Sequence, residues 1–165
     1  MAADDVDRIV SAWRRERPDL DVTPLEVLSR VSRLARRLDL ARGRAFAGTG
    51  LEGWEFDVLS ALRRRGEPYE LSPGQLVAET LVTSGTMTNR VDRLLARGYV
   101  ERRPDPGDRR GVIVRLTPEG TAVVDAALDR LLASERELLA ELGPDERDGL
   151  AALLRRLLRP FETER

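Results

Sequence analysis

Two helix starts eleven residues apart constrain this chain more than any other feature. Ser72-Pro73-Gly74-Gln75 is a capping box: a serine N-cap, proline at N1, and an amide three residues on that reaches back to the cap. The helix it opens is brief and is expected to end near Leu81. Thr83-Ser84-Gly85 breaks the chain, and a second helical pattern follows over about 84–97, with Gly98 placed to close it. In that second helix Met87, Val91, Leu94 and Leu95 supply one apolar face, while Ser84, Thr86, Asn89, Arg90 and Arg93 lie mostly on the other.

The flanking segments complete the plan. Residues 5–17 read as a helix with Val6, Ile9, Val10 and Trp13 on one stripe, ended by Pro18. Thr23 is expected to cap a second helix, with Pro24 at N1 and Glu26 closing a capping box, that reaches about Phe46. A third, over about 52–65, carries Trp54, Val58, Leu59 and Leu62. After the turn at Gly66-Glu67-Pro68, the extended piece Tyr69-Glu70-Leu71 leads into the capping box. Beyond Gly98, residues 99–103 and 111–116 read as strands, with 104–110 as a turn-rich hairpin loop. Thr117-Pro118 caps a long helix to about Leu142. A last helix, about 145–161, has Leu150, Leu153, Leu154, Leu157, Leu158 and Phe161 on one stripe and is expected to pack along the preceding one.

Helix, helix, short strand, short helix, turn, helix and an arginine-tipped hairpin make the order of a winged helix-turn-helix. Such a helix pair buries one face and shows the other to a major groove. Hydroxyls and free N–H groups at the start of the second helix suit phosphate oxygens, and Asn and Arg read adenine and guanine edges. At the hairpin tip Arg109 or Arg110 suits a narrow minor groove, and Asp108 is placed to hold a guanidinium there. The net charge of −1 is a poor global match for a polyanion. Its distribution fits better: residues 84–115 hold eight arginines against four acids, a local +4 that leaves −5 for the rest.

Composition removes competing classes. The chain has no cysteine and no histidine, so disulfides, thiol chemistry, nearly all zinc, haem and iron–sulfur sites, and the commonest general base are absent. No catalytic residue, metal site or cofactor is expected, and a small enzyme is disfavoured. All 28 basic residues are arginine, which GC-rich coding explains as well as selection for bidentate contacts. No apolar run is long enough to span a membrane, and the acidic start, with Asp4 and Asp5, is unlike a secretory signal, so a cytoplasmic protein is expected.

Glu55-Phe56-Asp57-Val58-Leu59, Leu71-Ser72-Pro73, Thr83 to Arg90 (with Thr88 among its hydroxyls), Asp108-Arg109-Arg110-Gly111 and Leu116-Thr117-Pro118-Glu119-Gly120 together resemble the MarR family of bacterial transcriptional regulators. The resemblance covers roughly 24–161 and implies a mainly α fold with a small β-wing. It also implies homodimers whose first and last long helices interlock. The apolar stripe of the last helix suits such a seam on its own account. The chain then divides into an extra N-terminal helix (1–22), a helical dimerisation region (23–50 and 117–165) and a winged helix-turn-helix DNA-binding domain (51–116). A dimer of this kind requires a pseudo-palindromic operator in double-stranded DNA, with half-sites about one turn, roughly 34–36 Å, apart. Family members mostly repress transcription.

The added helix with Trp13 resembles a branch of that family that responds to urate and related small anions. The matching positions for its response site are Trp13, Asp57, Arg90 and Arg102. A flat anion can stack on Trp13 and pair with Arg102, and a charge brought near Asp57 would disturb an Asp57–Arg90 pair. Phenolic acids or other carboxylates suit the same residues. Two plainer readings stand beside this one: Trp13 staples its helix to the body, and Asp57 forms a structural ion pair. The competing class for the whole chain is a winged-helix protein–protein interaction module without an effector.

Overall fold

The computed structural model describes residues 3–162, without the side chains of Arg109 and Arg110. The chain runs α1 (Asp5–Glu16), α2 (Thr23–Ala47), α3 (Gly53–Arg65), β1 (Glu70–Leu71), α4 (Pro73–Thr80), α5 (Ser84–Ala96), β2 (Val100–Asp105), β3 (Asp108–Leu116), α6 (Pro118–Leu138) and α7 (Pro144–Glu162). The strands form one antiparallel sheet in the order β1-β3-β2. This is the mainly helical winged fold that the punctuation predicts. The outermost residues of the expected terminal segments, 1–2 and 163–165, lie outside the described part.

The helix-turn-helix forms where its caps say it should. Ser72 Oγ accepts the Gln75 N–H at 3.2 Å while the Gln75 side chain accepts the Ser72 N–H at 2.8 Å. Leu81 adopts a left-handed conformation (φ 57°), and its N–H closes α4 on the Val77 carbonyl. Thr83 caps α5 through the Thr86 N–H, and Gly98 (φ 72°) ends it.

One core holds these parts together. α3 contributes Phe56, Val58, Leu59 and Leu62; α4 adds Leu76; and α5 adds Met87, Val91 and Leu94. The sheet contributes Val100, Val114 and Leu116, and α6 contributes Val124, Ala127 and Leu131. Phe46 at the end of α2 stacks on Phe56 at 4.6 Å between ring centres. A separate small cluster of Val6, Val10 and Val22 docks α1.

Several expectations need correction. Val22 rather than Thr23 precedes α2 as its cap, and no side chain caps it. Asp21 accepts both the Thr23 N–H and the Thr23 hydroxyl, and Glu26 turns outward to Arg14 of α1. The loop expected at 104–110 is mostly strand, with Asp105 paired to Asp108 across Pro106-Gly107. The Asp105 carboxylate accepts the Gly107 N–H at 2.8 Å, and β2 is an edge strand, where Pro104 is tolerated without a donor. The long helix α6 stops at Leu138 rather than Leu142. α7 has no buried residue and does not pack along α6. The inward positions of α6 are committed to the core, and α7 is tied at its start by Arg147 to the Leu139 carbonyl (2.9 Å). Trp13 is 49% exposed, so Val6 and Val10, rather than Trp13, fasten α1.

Candidate nucleic-acid interface

α5 presents a polar front beside the wing. Ser84, Thr86, Thr88 and Asn89 are all exposed there, within the first two turns of the helix. The hydroxyls are partly committed: Thr86 meets the Thr83 hydroxyl at 2.9 Å, and Thr88 donates to the Ser84 carbonyl at 3.1 Å. Unpaired N–H groups at such an N-terminus, with the helix dipole behind them, favour phosphate oxygens.

The arginines of α5 face the N-terminus of α3. Arg97 donates to Glu55, a carboxylate that is 1% exposed, and to the Gly50 carbonyl, and it covers the Tyr99 ring at 4.7 Å. The hydrogen bond from Arg97 to Glu55 raises the guanidinium pKa further. Glu55 also accepts the Glu52 N–H (2.9 Å), so its buried charge is matched from two sides. Arg93 donates to Glu52 at 2.9 Å, and both Arg90 and Arg93 lie over the Trp54 ring. The Trp54 N–H and then Arg93 hold the Glu52 carboxyl below the usual range.

On its other flank α5 is tied to the wing, where Arg102 of β2 donates to Asp92 at 2.7 Å. The hairpin carries Asp108 at its tip, exposed and engaged with a partner. Arg109 and Arg110 follow it on β3, and their side chains lie outside the described residues.

The residues expected to sense an effector have separate partners. Asp57 pairs with Arg42 of α2 at 2.8 Å, not with Arg90. The cause is geometric: Glu52, Trp54 and Glu55 meet α5, while Asp57 meets α2. Arg90 lies on Trp54, Arg102 on Asp92, and Trp13 stands half exposed on α1. Sequence reasoning missed the roles of Glu52, Trp54, Asp92 and Arg97. In the sequence Trp54 is simply an apolar position of its helix, and periodicity shows which face is buried without showing what covers it.

Among the described residues no cluster of carboxylates could hold a metal, and no helix is long and apolar enough to cross a membrane. The arrangement offers hydroxyls, an amide and guanidiniums on a convex helix, suited to hydrogen bonding rather than to bond making.

The sequence profile of the MarR family matches residues 49–111. The chain is 41% identical over 153 residues to the HTH-type transcriptional regulator PecS of Dickeya dadantii, covering 93% of this chain and 92% of that one. A mutant MarR from E. coli, solved in complex with operator DNA, superposes with a TM-score of 0.71 at 28% identity, over 84% of this chain and 99% of that one. BpsR of Bordetella bronchiseptica, described for regulation of its DNA binding by 6-hydroxynicotinic acid, superposes with a TM-score of 0.68 at 30% identity, over 79% of this chain and 91% of that one. With a relative this similar matched along nearly its whole length, and the winged helix-turn-helix in place, the chain belongs to the MarR family and is a DNA-binding transcriptional regulator, not an enzyme.

Proposed function

We propose that the chain acts as a homodimeric repressor on a pseudo-palindromic operator and is released by a small anionic effector. The observation that carries this reading is the exposed polar front of α5, flanked by a basic wing and backed by the buried side chains of Met87, Val91 and Leu94. In this reading α5 lies in the major groove. Ser84, Thr86 and Thr88 meet phosphates, Asn89, Arg90 and Arg93 approach base edges, and Asp108, Arg109 and Arg110 reach the minor groove. Residues 51–116 form the DNA-binding unit, 23–50 with 117–165 the dimerisation region, and 1–22 an added helix. Repression follows from occupancy of promoter DNA.

Trp13, Asp57, Arg90 and Arg102 are the proposed effector contacts. The half-exposed Trp13 ring is free to stack a flat anion, and Arg102 is a partly exposed cation. Binding works by exchange of partners: an anion draws Arg102 from Asp92 and unsettles the Asp57–Arg42 pair, loosening the wing and the recognition helix together. An aromatic acid regulating the DNA binding of the Bordetella relative supports this ligand class.

Fluorescence anisotropy on the duplex upstream of the chain's own gene, across a salt series, tests both parts. DNA binding through several arginines requires log affinity to fall with log salt at a slope steeper than about −4. A flat salt dependence sinks the DNA reading. Urate, salicylate or a tricarboxylate should each be tried at fixed salt, and failure of all three to weaken binding removes the effector.

A further inference from the structure

Two guanidiniums of α5 converge on one indole that the sequence does not mark out. Cζ of Arg93 lies 4.6 Å from the Trp54 ring centre and Cζ of Arg90 lies 5.5 Å from it. The Trp54 Nε1–H donates to Oε2 of Glu52 at 2.6 Å, and Arg93 Nη2 donates to Oε1 of the same carboxylate at 2.9 Å. One carboxylate therefore fixes both the ring and the guanidinium lying on it.

Arg90, Arg93 and Arg97 fall at i, i+3 and i+7, a single stripe of α5. Their restraint is graded along it. Arg97 is spent on buried Glu55, the Gly50 carbonyl and the Tyr99 hydroxyl (3.1 Å), so it belongs to the scaffold. Arg93 is held by a ring face and a carboxylate, and Arg90, among the described residues, by the ring face. The platform beneath is rigid, because the next residues of α3, Phe56, Val58 and Leu59, are buried in the core.

This geometry bears on readout in two ways. A long side chain already confined loses less rotamer freedom on binding and offers its remaining N–H groups in a fixed plane. A carboxylate beside Arg93 also repels phosphate, which disfavours the sequence-independent contact at that position.

We propose that Trp54 and Glu52 are positioning residues for base readout, which hold Arg93, and Arg90 beside it, so that operator discrimination depends on them more than bulk affinity does. The inference rests on the DNA-binding reading above. Glu52 in particular suppresses binding to non-operator DNA.

The test uses the full-length protein, an operator selected from a random duplex pool by the wild type, and a scrambled duplex of equal length. Trp54→Ala should lower the operator-to-scrambled affinity ratio about tenfold. Trp54→Phe, which keeps a ring under the guanidiniums, should retain most of it. Glu52→Gln lies on the surface and leaves the core intact; it should lower the ratio by strengthening binding to the scrambled duplex. A ratio that stays at the wild-type value in both Trp54→Ala and Glu52→Gln overturns the inference, as does an equal loss on both duplexes. Arg93→Ala separates the two levels of failure. If it abolishes discrimination while the Trp54 and Glu52 variants keep it, only the positioning role fails. If the wild type binds no duplex, the DNA reading fails with it.

Discussion

A methyl group on Gly120 would stand 2.0 Å from the Tyr99 carbonyl oxygen and 2.9 Å from Leu116 Cδ1. The obstacle is backbone, so α6 would have to lift away from the start of β2. Gly120→Ala is therefore expected to cost about 2–4 kcal/mol, seen as a drop of several degrees in Tm, and an unchanged Tm would refute this account of the contact. In the sequence Gly120 stands only as part of a motif after Thr117-Pro118. Its requirement for a missing Cβ comes from the Tyr99 carbonyl just ahead of β2, some twenty residues earlier, which no local pattern reports. The same holds for Glu55, read as a motif residue and found almost wholly buried against Arg97.

At the scale of elements, α1 is held by a set of ion pairs as well as by its small apolar cluster. Arg30 of α2 donates to Asp4 (2.8 and 3.0 Å) and Asp7 (2.8 Å), and Arg33 donates to Asp5 at 3.1 Å. Asp4 also caps α1 through the Val6 and Asp7 N–H groups. The Asp4 carboxyl is held below its ordinary value by Arg30 first, then by backbone N–H groups, and Asp5 is lowered by Arg33 and Arg8. A lowered folded-state pKa stabilises docking above the unfolded value, and that contribution is lost as pH falls through the folded one. Amides of 5–16 are thus expected to lose protection before the body does as pH falls below about 4, with Arg30→Ala moving the onset upward. Backbone NMR across that range checks it; simultaneous loss in α1 and the core would refute it. Helix starts marked by caps with nearby partners were legible here, α4, α5 and α6 above all. The α2 cap and the length of the hairpin strands were not, because Asp21, Arg14 and the strand pairing of 104–110 compete with the local signals.

For the whole molecule, the apolar surface left open is the informative quantity. Val27, Leu28, Val31 and Leu34 on α2, and Leu153, Leu157, Leu158 and Phe161 on α7, are all exposed in the single chain. Contiguous faces of this kind mark an interface, here the proposed dimer seam. Leu157→Glu should give monomers by light scattering and weaken operator binding about 100-fold, since each half-site then binds alone. A variant that stays dimeric with full affinity would place the seam elsewhere. Caps, turn residues and period determined the helix-turn-helix, the wing and the polar front of α5, because those signals act over one or two turns of chain. Only the tertiary structure decided that Asp57 faces Arg42, that Trp54 carries Arg90 and Arg93, and that α7 stands clear of α6. A polar or aromatic side chain at a fixed position can meet several partners, and the packing of distant helices selects among them.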